Sequence, residues 1–367
     1  MARRITISDL GYTPGQLPAG PKKSILDVPG VHVGQVTIGK DGEDICKGVT
    51  VILPRHPDEI SIPCYAGLHT FNGNGEMSGS FQIRDWGFTN TPLALTNSLS
   101  FGNVFQGVWE WTLKRVQEKG MSLDDMGHNY GSPVVAETAD WWLNDVFKSA
   151  LSTDNVHDAF AAALTQTEVL EGQNGGGAGM TCHMFPGGTG TSSRVVKGEA
   201  KDYTVGVLVQ TNYGHNYDLQ IAGLPLGKAD DGSIVVFCIT DAPMLPHQLN
   251  RMARHCAVGL AQVGGHGVGR NFSGDIILAL STANKPNERV LSGQAYGIAK
   301  VETNQIGIIK NESIDTLFRA ASEVTEEAIL NSIIAGRDGR TGVKGRELPG
   351  LPIERAKELL AKYRVVV

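Results

Sequence analysis

The segment Ser233–Thr240 constrains the fold of this chain more than any other. It follows Asp230-Asp231-Gly232, which is typical of a turn because glycine adopts backbone conformations that other residues resist. From Ser233 onward the residues are almost all apolar or β-branched, a pattern that predicts a strand buried on both faces. The sequence therefore predicts a buried strand whose first residue is a serine.

The Gly232-Ser233 pair has two interpretations. In the first, the Ser233 hydroxyl attacks the Gly232 carbonyl, breaks the peptide bond and leaves Ser233 as a new chain terminus. The freed α-amine has a pKa well below that of a lysine and lies beside the hydroxyl as its base. In the second, the pair only closes a hairpin. Taken alone, this stretch favours the hairpin, because single-sequence motif assignments carry little weight.

Periodicity elsewhere predicts a layered α+β fold in one domain covering residues 1–367. Short alternating runs predict strands between residues 31 and 53, and apolar segments predict strands at 203–211 and 276–280. Apolar positions at helical spacing predict helices. These are residues 93–119, 154–171, 314–335 and a segment directly after Asp241-Ala242-Pro243. The polar residues 1–24 predict an extended arm rather than a core element, of the kind that often reaches a neighbouring subunit.

Composition excludes several classes of function. The net charge of −6 and the sequence pI near 5.9 give no basic surface for nucleic acid or anionic lipid. No apolar run approaches a membrane span, and the N-terminal stretch has no apolar core of a secretory signal. The five cysteines are scattered without a CxxC pair, so neither a zinc site nor a disulfide framework is indicated. We expect a reduced, cytoplasmic protein without a metal or another cofactor.

Three further polar side chains stand next to predicted strands. Ser273 and Asp275 are separated by one residue, so on an extended segment they project to the same side and can orient the α-amine of Ser233. Asn212 ends the predicted strand 203–211, where its carboxamide can donate to an oxyanion. Each also has an ordinary interpretation, Asp275 as a turn cap and Asn212 as a turn former.

Eight sequence blocks, in order over most of the chain, resemble the DmpA-type aminopeptidase family. This family contains L-aminopeptidase/D-esterases, β-peptidyl aminopeptidases and nylon-oligomer hydrolases. The blocks are Ile25-Leu26-Asp27-Val28-Pro29-Gly30-Val31-His32-Val33-Gly34, Asn72-Gly73-Asn74-Gly75-Glu76-Met77, Pro133-Val134-Val135-Ala136-Glu137-Thr138, Gly175-Gly176-Gly177-Ala178-Gly179-Met180, Asp231-Gly232-Ser233, Thr240-Asp241-Ala242-Pro243, Ser273-Gly274-Asp275 and Gly336-Arg337-Asp338-Gly339.

The resemblance implies a four-layer αββα sandwich of the N-terminal-nucleophile hydrolase type. It also implies self-cleavage between Gly232 and Ser233 into chains 1–232 and 233–367, with Ser233 as the nucleophile of an acyl-enzyme. In this scheme Ser273 and Asp275 tune the α-amine, Asn212 holds the oxyanion, and no cofactor is needed. Substrates would be short peptides, amides or esters, and processed protomers would form a homo-oligomer, commonly a tetramer.

The substrate pocket is predicted from two segments. Gly177, Gly179 and Met180 lie in a glycine-rich loop that matches no phosphate-binding motif, so we expect them to line the pocket where the backbone approaches the substrate. Glu76 lies in a polar turn where its carboxylate can bind the free amino group of a substrate. The chain departs from the family at Ala139, where the family pattern Glu-Thr-Tyr-Asp has a tyrosine that helps to polarise the substrate carbonyl.

Three functional hypotheses follow. The first is a self-processing serine aminopeptidase and amidase that releases N-terminal residues. The second is a hydrolase of β-peptides or of ω-amino-acid, nylon-type amides on the same fold. The third is an unprocessed binding protein, which only the tyrosine missing at Ala139 supports. The joint presence of Gly232-Ser233, Asn212 and the Ser273–Asp275 pair argues against the third hypothesis.

Overall fold

The computed structural model describes residues 4–120, 131–148, 151–214, 216–225, 233–286, 301 and 303–363. Two β-sheets form its centre. The four-stranded sheet has the order β1-β2-β5-β6, and the six-stranded sheet has the order β4-β3-β14-β13-β10-β9. The strands are β1 (His32–Ile38), β2 (Lys47–Leu53), β3 (Cys64–Gly73), β4 (Phe88–Thr89), β5 (Leu93–Asn97), β6 (Val134–Thr138), β7 (Thr181–Cys182), β8 (Phe185–Pro186), β9 (Gly188–Val196), β10 (Tyr203–Asn212), β11 (Gln220–Ile221), β12 (Leu224–Pro225), β13 (Ser233–Thr240), β14 (Gly274–Ser281), β15 (Arg340–Gly342) and β16 (Arg346–Leu348).

The described residues contain six α-helices, four of which cover the outer faces of the two sheets. They are α1 (Ser80–Trp86), α2 (Phe101–Glu118), α3 (Thr153–Ala163), α4 (Pro246–Gly264), α5 (Asp315–Ala335) and α6 (Ile353–Tyr363). Helices α2 and α3 pack on the four-stranded sheet, where Trp111 and Phe160 stack with ring centres 4.3 Å apart. Helices α4 and α5 pack on the six-stranded sheet. The order helix, sheet, sheet, helix confirms the predicted four-layer αββα sandwich.

The alternation of side chains along β13 confirms a strand buried on both faces. Ile234, Val236 and Cys238 belong to the core under α4 and α5, whereas Val235 and Phe237 belong to the core between the two sheets. Because successive side chains of a strand point to opposite faces, Ser233 shares the face of Val235. The Ser233 hydroxyl therefore lies at the edge of the space between the sheets.

Strand direction explains why polar residues distant in sequence meet at one edge of the six-stranded sheet. Strand β10 runs antiparallel to β13, so its last residue, Asn212, pairs with the first residue of β13, Ser233. Strand β14 runs parallel to β13, so Asp275, near its start, pairs with Ile234. Strand β3 runs antiparallel to β14 and ends at the same edge.

Buried hydrogen bonds tie the two sheets together near this edge. The Gln210 Nε2 on β10 donates to the Thr138 Oγ1 on β6 at 2.7 Å and to the Thr96 carbonyl on β5 at 2.8 Å. All three residues are buried, so these bonds replace hydration that the polar groups have lost. They fix the end of β6 against the end of β10.

Several predicted boundaries need correction. Residues 93–97 form strand β5 rather than the start of a helix, because they pair with β2 and β6 inside the four-stranded sheet. Helix α3 ends at Ala163 rather than at residue 171, and α4 begins at Pro246 rather than directly after Asp241. Of the five residues predicted to form the apolar face of α4, Leu249, Met252, Cys256 and Leu260 are in the core. The fifth, Leu245, precedes the helix and is half-buried.

The N-terminal segment is part of the core of its own chain, not an extended arm. Ile7 and Leu10 form a short 3-10 helix and are buried against α5, and the Ile7 N–H donates to Asn331 Oδ1 at 3.0 Å. The Arg194 guanidinium, fully buried between Glu323 and Glu327 of α5, also donates to the Pro14 carbonyl at 2.7 Å. In the ranges described above, no helix combines the length and apolar character that crossing a bilayer requires.

Candidate active site

The first residue of β13 has its hydroxyl fixed by a neighbouring backbone. The Gly274 N–H donates to Ser233 Oγ at 2.9 Å, and Ser233 is 8% exposed. A hydrogen-bond donor to this oxygen favours its charged form, because it stabilises negative charge on the oxygen. The local structure thus gives Ser233 an oriented hydroxyl at the start of a buried strand, on the wall of a cavity.

Asn212 lies directly beside Ser233 in the strand register, and its amide is held in one orientation. Its Oδ1 accepts from the Thr181 N–H at 2.9 Å, and its Nδ2 donates to the Ala139 carbonyl at 2.7 Å. These two bonds leave the second Nδ2 hydrogen for a group inside the cavity that Asn212 lines. This arrangement suits a donor to an oxyanion that forms next to Ser233 Oγ.

Ser273 and Asp275 are paired with each other, as their spacing predicts. Ser273 Oγ donates to Asp275 Oδ1 at 2.7 Å, and the Gly269 N–H donates to Asp275 Oδ2 at 2.7 Å. Burial raises the pKa of the Asp275 carboxyl, while these two hydrogen bonds act in the opposite direction. By register with Ile234, the Asp275 side chain lies on the sheet face under α4, whereas the Ser233 hydroxyl lies on the other face.

A cavity of about 560 Å³ opens over Ser233 and Asn212. Its wall has two parts, one polar and acidic and one largely apolar. The polar part contains Asn74, Glu76, Ser98 and Glu137 from the ends of β3, β5 and β6, and the largely apolar part contains Ala139, Trp141, Trp142, Met184 and Phe272. The size suits a small organic substrate rather than a folded protein.

Glu137 is the residue that sequence analysis missed. It lies within the last two residues of β6, its Oε1 accepts from the Glu76 N–H at 2.9 Å, and its Oε2 accepts from Ser98 Oγ. An acidic residue at the end of an otherwise apolar strand is a signal in the sequence for a functional carboxylate. It does not indicate which cavity the carboxylate enters. Glu76, which was predicted, lines the same cavity and is exposed.

The structure places Gly177, Gly179 and Met180 away from this cavity, so their assignment as pocket residues is corrected. A Cβ atom at Gly177 would come within 2.2 Å of the Thr189 nitrogen, and one at Gly179 within 2.5 Å of the Cys46 carbonyl oxygen. Met180 is buried, with its sulfur accepting from Thr138 Oγ1. These glycines permit close packing of the protein on itself rather than on a substrate.

Gly232, whose carbonyl is the predicted point of attack in self-cleavage, lies outside the described residues. At the position of the family tyrosine, Ala139 leaves room in the cavity wall, and Trp141 and Trp142 follow it there. Within the described ranges, no three His, Cys, Asp or Glu side chains are arranged to hold a metal ion.

A four-layer αββα sandwich with a buried serine at the start of a central strand defines a serine hydrolase of the N-terminal-nucleophile class. The comparisons with known proteins agree. The sequence pattern of peptidase family S58 matches residues 23–348, and the chain belongs to this family. It is a serine aminopeptidase and amidase, which confirms the class of enzyme named in the first of the three functional hypotheses.

Similar proteins cover nearly the whole chain. The beta-peptidyl aminopeptidase BapA of Sphingosinicella microcystinivorans is 38% identical over 97% of this chain and 92% of its own. The beta-aminopeptidase of Burkholderia sp. is 39% identical with a TM-score of 0.85, covering 99% of this chain and 100% of its own. The L-aminopeptidase D-Ala-esterase/amidase of Ochrobactrum anthropi is 35% identical with a TM-score of 0.85, covering 98% of both chains.

Proposed function

We propose that this chain activates itself by cutting the Gly232–Ser233 bond and then removes N-terminal residues from small peptides and amides through Ser233. The observation that carries this proposal is the hydrogen-bonded Ser233 Oγ at the start of β13, beside the Asn212 amide, in one cavity. The single domain would then consist of two chains, residues 1–232 and 233–367.

Self-cleavage would proceed by an acyl shift from nitrogen to oxygen. Ser233 Oγ attacks the Gly232 carbonyl carbon, the C–N bond breaks, and the Ser233 nitrogen takes up the proton that the hydroxyl loses. Water then hydrolyses the resulting ester, which frees the Gly232 carboxylate and restores the Ser233 hydroxyl. The product has a free α-amine on Ser233, so processing creates the base that catalysis needs.

Substrate hydrolysis would repeat this chemistry on another carbonyl. The α-amine accepts the Ser233 hydroxyl proton as Oγ attacks, and the proton passes to the leaving amine of the substrate. The free Nδ2 hydrogen of Asn212 stabilises the oxyanion of the tetrahedral intermediate. The Ser273–Asp275 pair, at the same sheet edge but on the other face, orients the α-amine. Water then releases the acyl group.

Substrates would carry a free ammonium group and a short acyl part. The carboxylates of Glu137 and Glu76 give the polar wall of the cavity the charge that an ammonium group requires, and Glu137 is held by two hydrogen bonds. We propose N-terminal β-aminoacyl residues as the preferred class, since the relatives from Sphingosinicella and Burkholderia are named for β-peptide substrates.

Intact mass spectrometry of the purified protein tests self-cleavage. We expect two chains that meet at Gly232/Ser233 in the wild type and one uncut chain in Ser233→Ala. Ser98→Ala, which removes a hydroxyl on the opposite cavity wall, should still be cut. An uncut wild-type chain after long incubation would contradict the proposal and would favour the binding-protein hypothesis.

A panel of p-nitroanilides tests the substrate class. We expect kcat/KM to be highest for β-alanyl p-nitroanilide, lower for L-alanyl and D-alanyl p-nitroanilides, and lost after N-acetylation. Faster turnover of a linear aminohexanoate dimer would instead assign the enzyme to nylon-type amides.

We also propose that processed protomers form a homo-oligomer, with a tetramer as the first candidate. Phe81 and Phe147, which are 80% and 98% exposed, are candidate contact residues for such an assembly. Light scattering after size-exclusion chromatography measures the mass, and a monomer at micromolar concentration would contradict the assembly. The cytoplasmic location stays a prediction.

A further inference from the structure

The orientation of the Asn212 amide depends on a carbonyl from the other sheet. Asn212 Nδ2 donates to the Ala139 carbonyl at 2.7 Å, and Ala139 is the first residue after β6. If this carbonyl moves, the amide rotates or loses a partner, and the hydrogen assigned to the oxyanion moves with it. The position of Ala139 is therefore part of the geometry of the reacting centre.

A buried carboxylate holds the turn that begins at Ala139. Asp140 is 1% exposed, and its Oδ2 accepts from Asn144 Nδ2 at 2.8 Å. The Asn144 N–H donates to the Asp140 carbonyl at 3.0 Å, which closes the turn, and Asn144 Oδ1 accepts from the Cys46 N–H at 3.0 Å. The Asp140–Asn144 turn is thus fastened to the residue that precedes β2, although it has no regular secondary structure of its own.

The surroundings of Asp140 make this carboxylate costly to retain. Burial raises the pKa of Asp140 to about 6, and the nearby Lys47 ammonium, itself 1% exposed, acts against that rise. Lys47 also faces Asp145 and donates to the Lys148 carbonyl at 2.9 Å. Burial of the Asp140 carboxylate costs desolvation free energy, and Asp140 does not line the cavity. We therefore expect it to have a role that an apolar side chain could not perform.

Gly179 explains why the turn can lie so close to β2. A Cβ atom there would meet the Cys46 carbonyl at 2.5 Å and the side chains of Asp140 and Asn144 at 3.3 and 3.5 Å. The glycine loop that sequence analysis assigned to the substrate pocket therefore packs against the Asp140–Asn144 turn instead.

We infer that Asp140 is a positioning residue for the oxyanion donor: it holds the turn whose first carbonyl, at Ala139, orients the Asn212 amide. The inference rests on the proposed role of Asn212. Asp140 itself touches no substrate, so its removal should affect the rate of the chemical step and leave substrate binding nearly unchanged.

A double-mutant cycle on the full-length gene product after self-cleavage tests the inference. Rates are normalised to the processed fraction, which mass spectrometry measures. Asp140→Ala should lower kcat on β-alanyl p-nitroanilide by about 10- to 100-fold with KM changed less than about threefold, because a misplacement near 1 Å costs up to about 100-fold. In an Asn212→Ala background the same change should lower kcat by less than about threefold, since residues that act as one unit are not additive.

Two further variants separate positioning from folding. Asp140→Asn keeps an acceptor for Asn144 and should recover most of kcat, whereas Asn144→Ala leaves the carboxylate in place and should repeat the loss. Asp158→Asn is the matched control, because Asp158 is an exposed aspartate on α3, outside both the Asp140–Asn144 turn and the cavity lining. Its kcat should remain within about twofold of wild type.

Each outcome decides a different claim. If Asn212→Ala keeps full kcat, the proposed oxyanion role fails. If Asn212→Ala loses activity while Asp140→Ala and Asn144→Ala keep full kcat, the positioning inference alone is overturned. An equal fold loss from Asp140→Ala in both backgrounds, or a lower melting temperature with unchanged kcat, would likewise overturn it and assign Asp140 to stability.

Discussion

The backbone N–H of Gly274 donates a hydrogen bond to Ser233 Oγ at 2.9 Å, which connects the first residues of two parallel neighbouring strands. The bond uses one lone pair of the hydroxyl and leaves its proton free to move toward a base. Because the donor belongs to the sheet backbone, its position does not depend on a side-chain rotamer. The hydroxyl of the proposed nucleophile is therefore oriented before any substrate binds.

Removal of the Asn212 amide should slow the chemical step and leave substrate binding nearly unchanged. We expect Asn212→Ala to lower kcat by about 100- to 1,000-fold, the range known for the loss of one oxyanion donor. Steady-state kinetics on β-alanyl p-nitroanilide measures this change. Asn103→Ala removes an amide of the same kind on the outer helix α2, where Asn103 Nδ2 donates to the Leu151 carbonyl, and it should keep wild-type kcat. A rise in KM alone would assign Asn212 to substrate binding.

Asp275 should make the folded protein less stable as pH rises. Burial raises the folded-state pKa of Asp275 above its ordinary value of 3.8. Folding therefore favours the protonated carboxyl. The stability that Asp275 contributes is fully present below its pKa in the unfolded chain, and it is lost as pH rises through its pKa in the folded protein. Asp275→Asn cannot ionise. Relative to wild type, we expect its melting temperature to be higher at neutral pH than at pH about 4, with reduced kcat.

Ser273→Ala gives a second measurement of the same group. The Ser273 hydroxyl stabilises the charged carboxylate, so its loss should raise the pKa of Asp275 further. In calorimetric scans, the decline of stability with rising pH should then occur at a higher pH in Ser273→Ala than in the wild type. A decline at the same pH would show that Ser273 does not affect the pKa of Asp275. An Asp275→Asn protein that is relatively less stable at neutral pH would show that the charged form stabilises the fold.

Glu137 and Glu76 should differ in their effect on substrate affinity. Glu137→Gln removes a partly buried, hydrogen-bonded carboxylate and should raise KM by about 10- to 100-fold, the range expected for a hydrogen bond to a charged group. Glu76→Gln changes an exposed carboxylate and should raise KM by less than about fivefold. Competition by free β-alanine measures the ammonium site directly. Equal effects in the two variants would contradict the ranking.

Arg346 should support the apolar wall of the cavity from the hairpin β15–β16. Its guanidinium carbon lies 4.6 Å from the Trp142 ring centre, and its Nη1 donates to the Trp142 carbonyl at 3.0 Å. We expect Arg346→Ala to raise KM by about two- to fivefold for substrates with large apolar groups, the effect of losing an exposed cation–π contact. Alanine-sized substrates should be unaffected. Arg355→Ala on the exposed face of α6 serves as the control, and a uniform change for all substrates would contradict a role in specificity.

The sequence by itself determined the strand that begins at Ser233, the polar pairs around it and the family. Local chemistry suffices for these features. A continuous apolar run predicts a strand buried on both faces, and a spacing of two predicts that Ser273 and Asp275 meet, as their 2.7 Å bond confirms. Asn212 follows from the same logic, because a polar residue that ends an apolar strand lies at a sheet edge.

Only the tertiary structure decided which distant residues share the cavity. Glu137 and Ser98 come from the four-stranded sheet, so no spacing along the chain relates them to Ser233. A glycine-rich loop is compatible both with contact to a substrate and with close packing of the chain on itself. The atoms that surround Gly177 and Gly179 belong to other parts of the chain, which shows that these glycines permit close packing. The segment that contains Ile7 is polar on average, yet two of its apolar side chains are enough to bury it under α5. Periodicity records which face of an element is apolar, whereas the partner of that face is set by the packing of the whole chain.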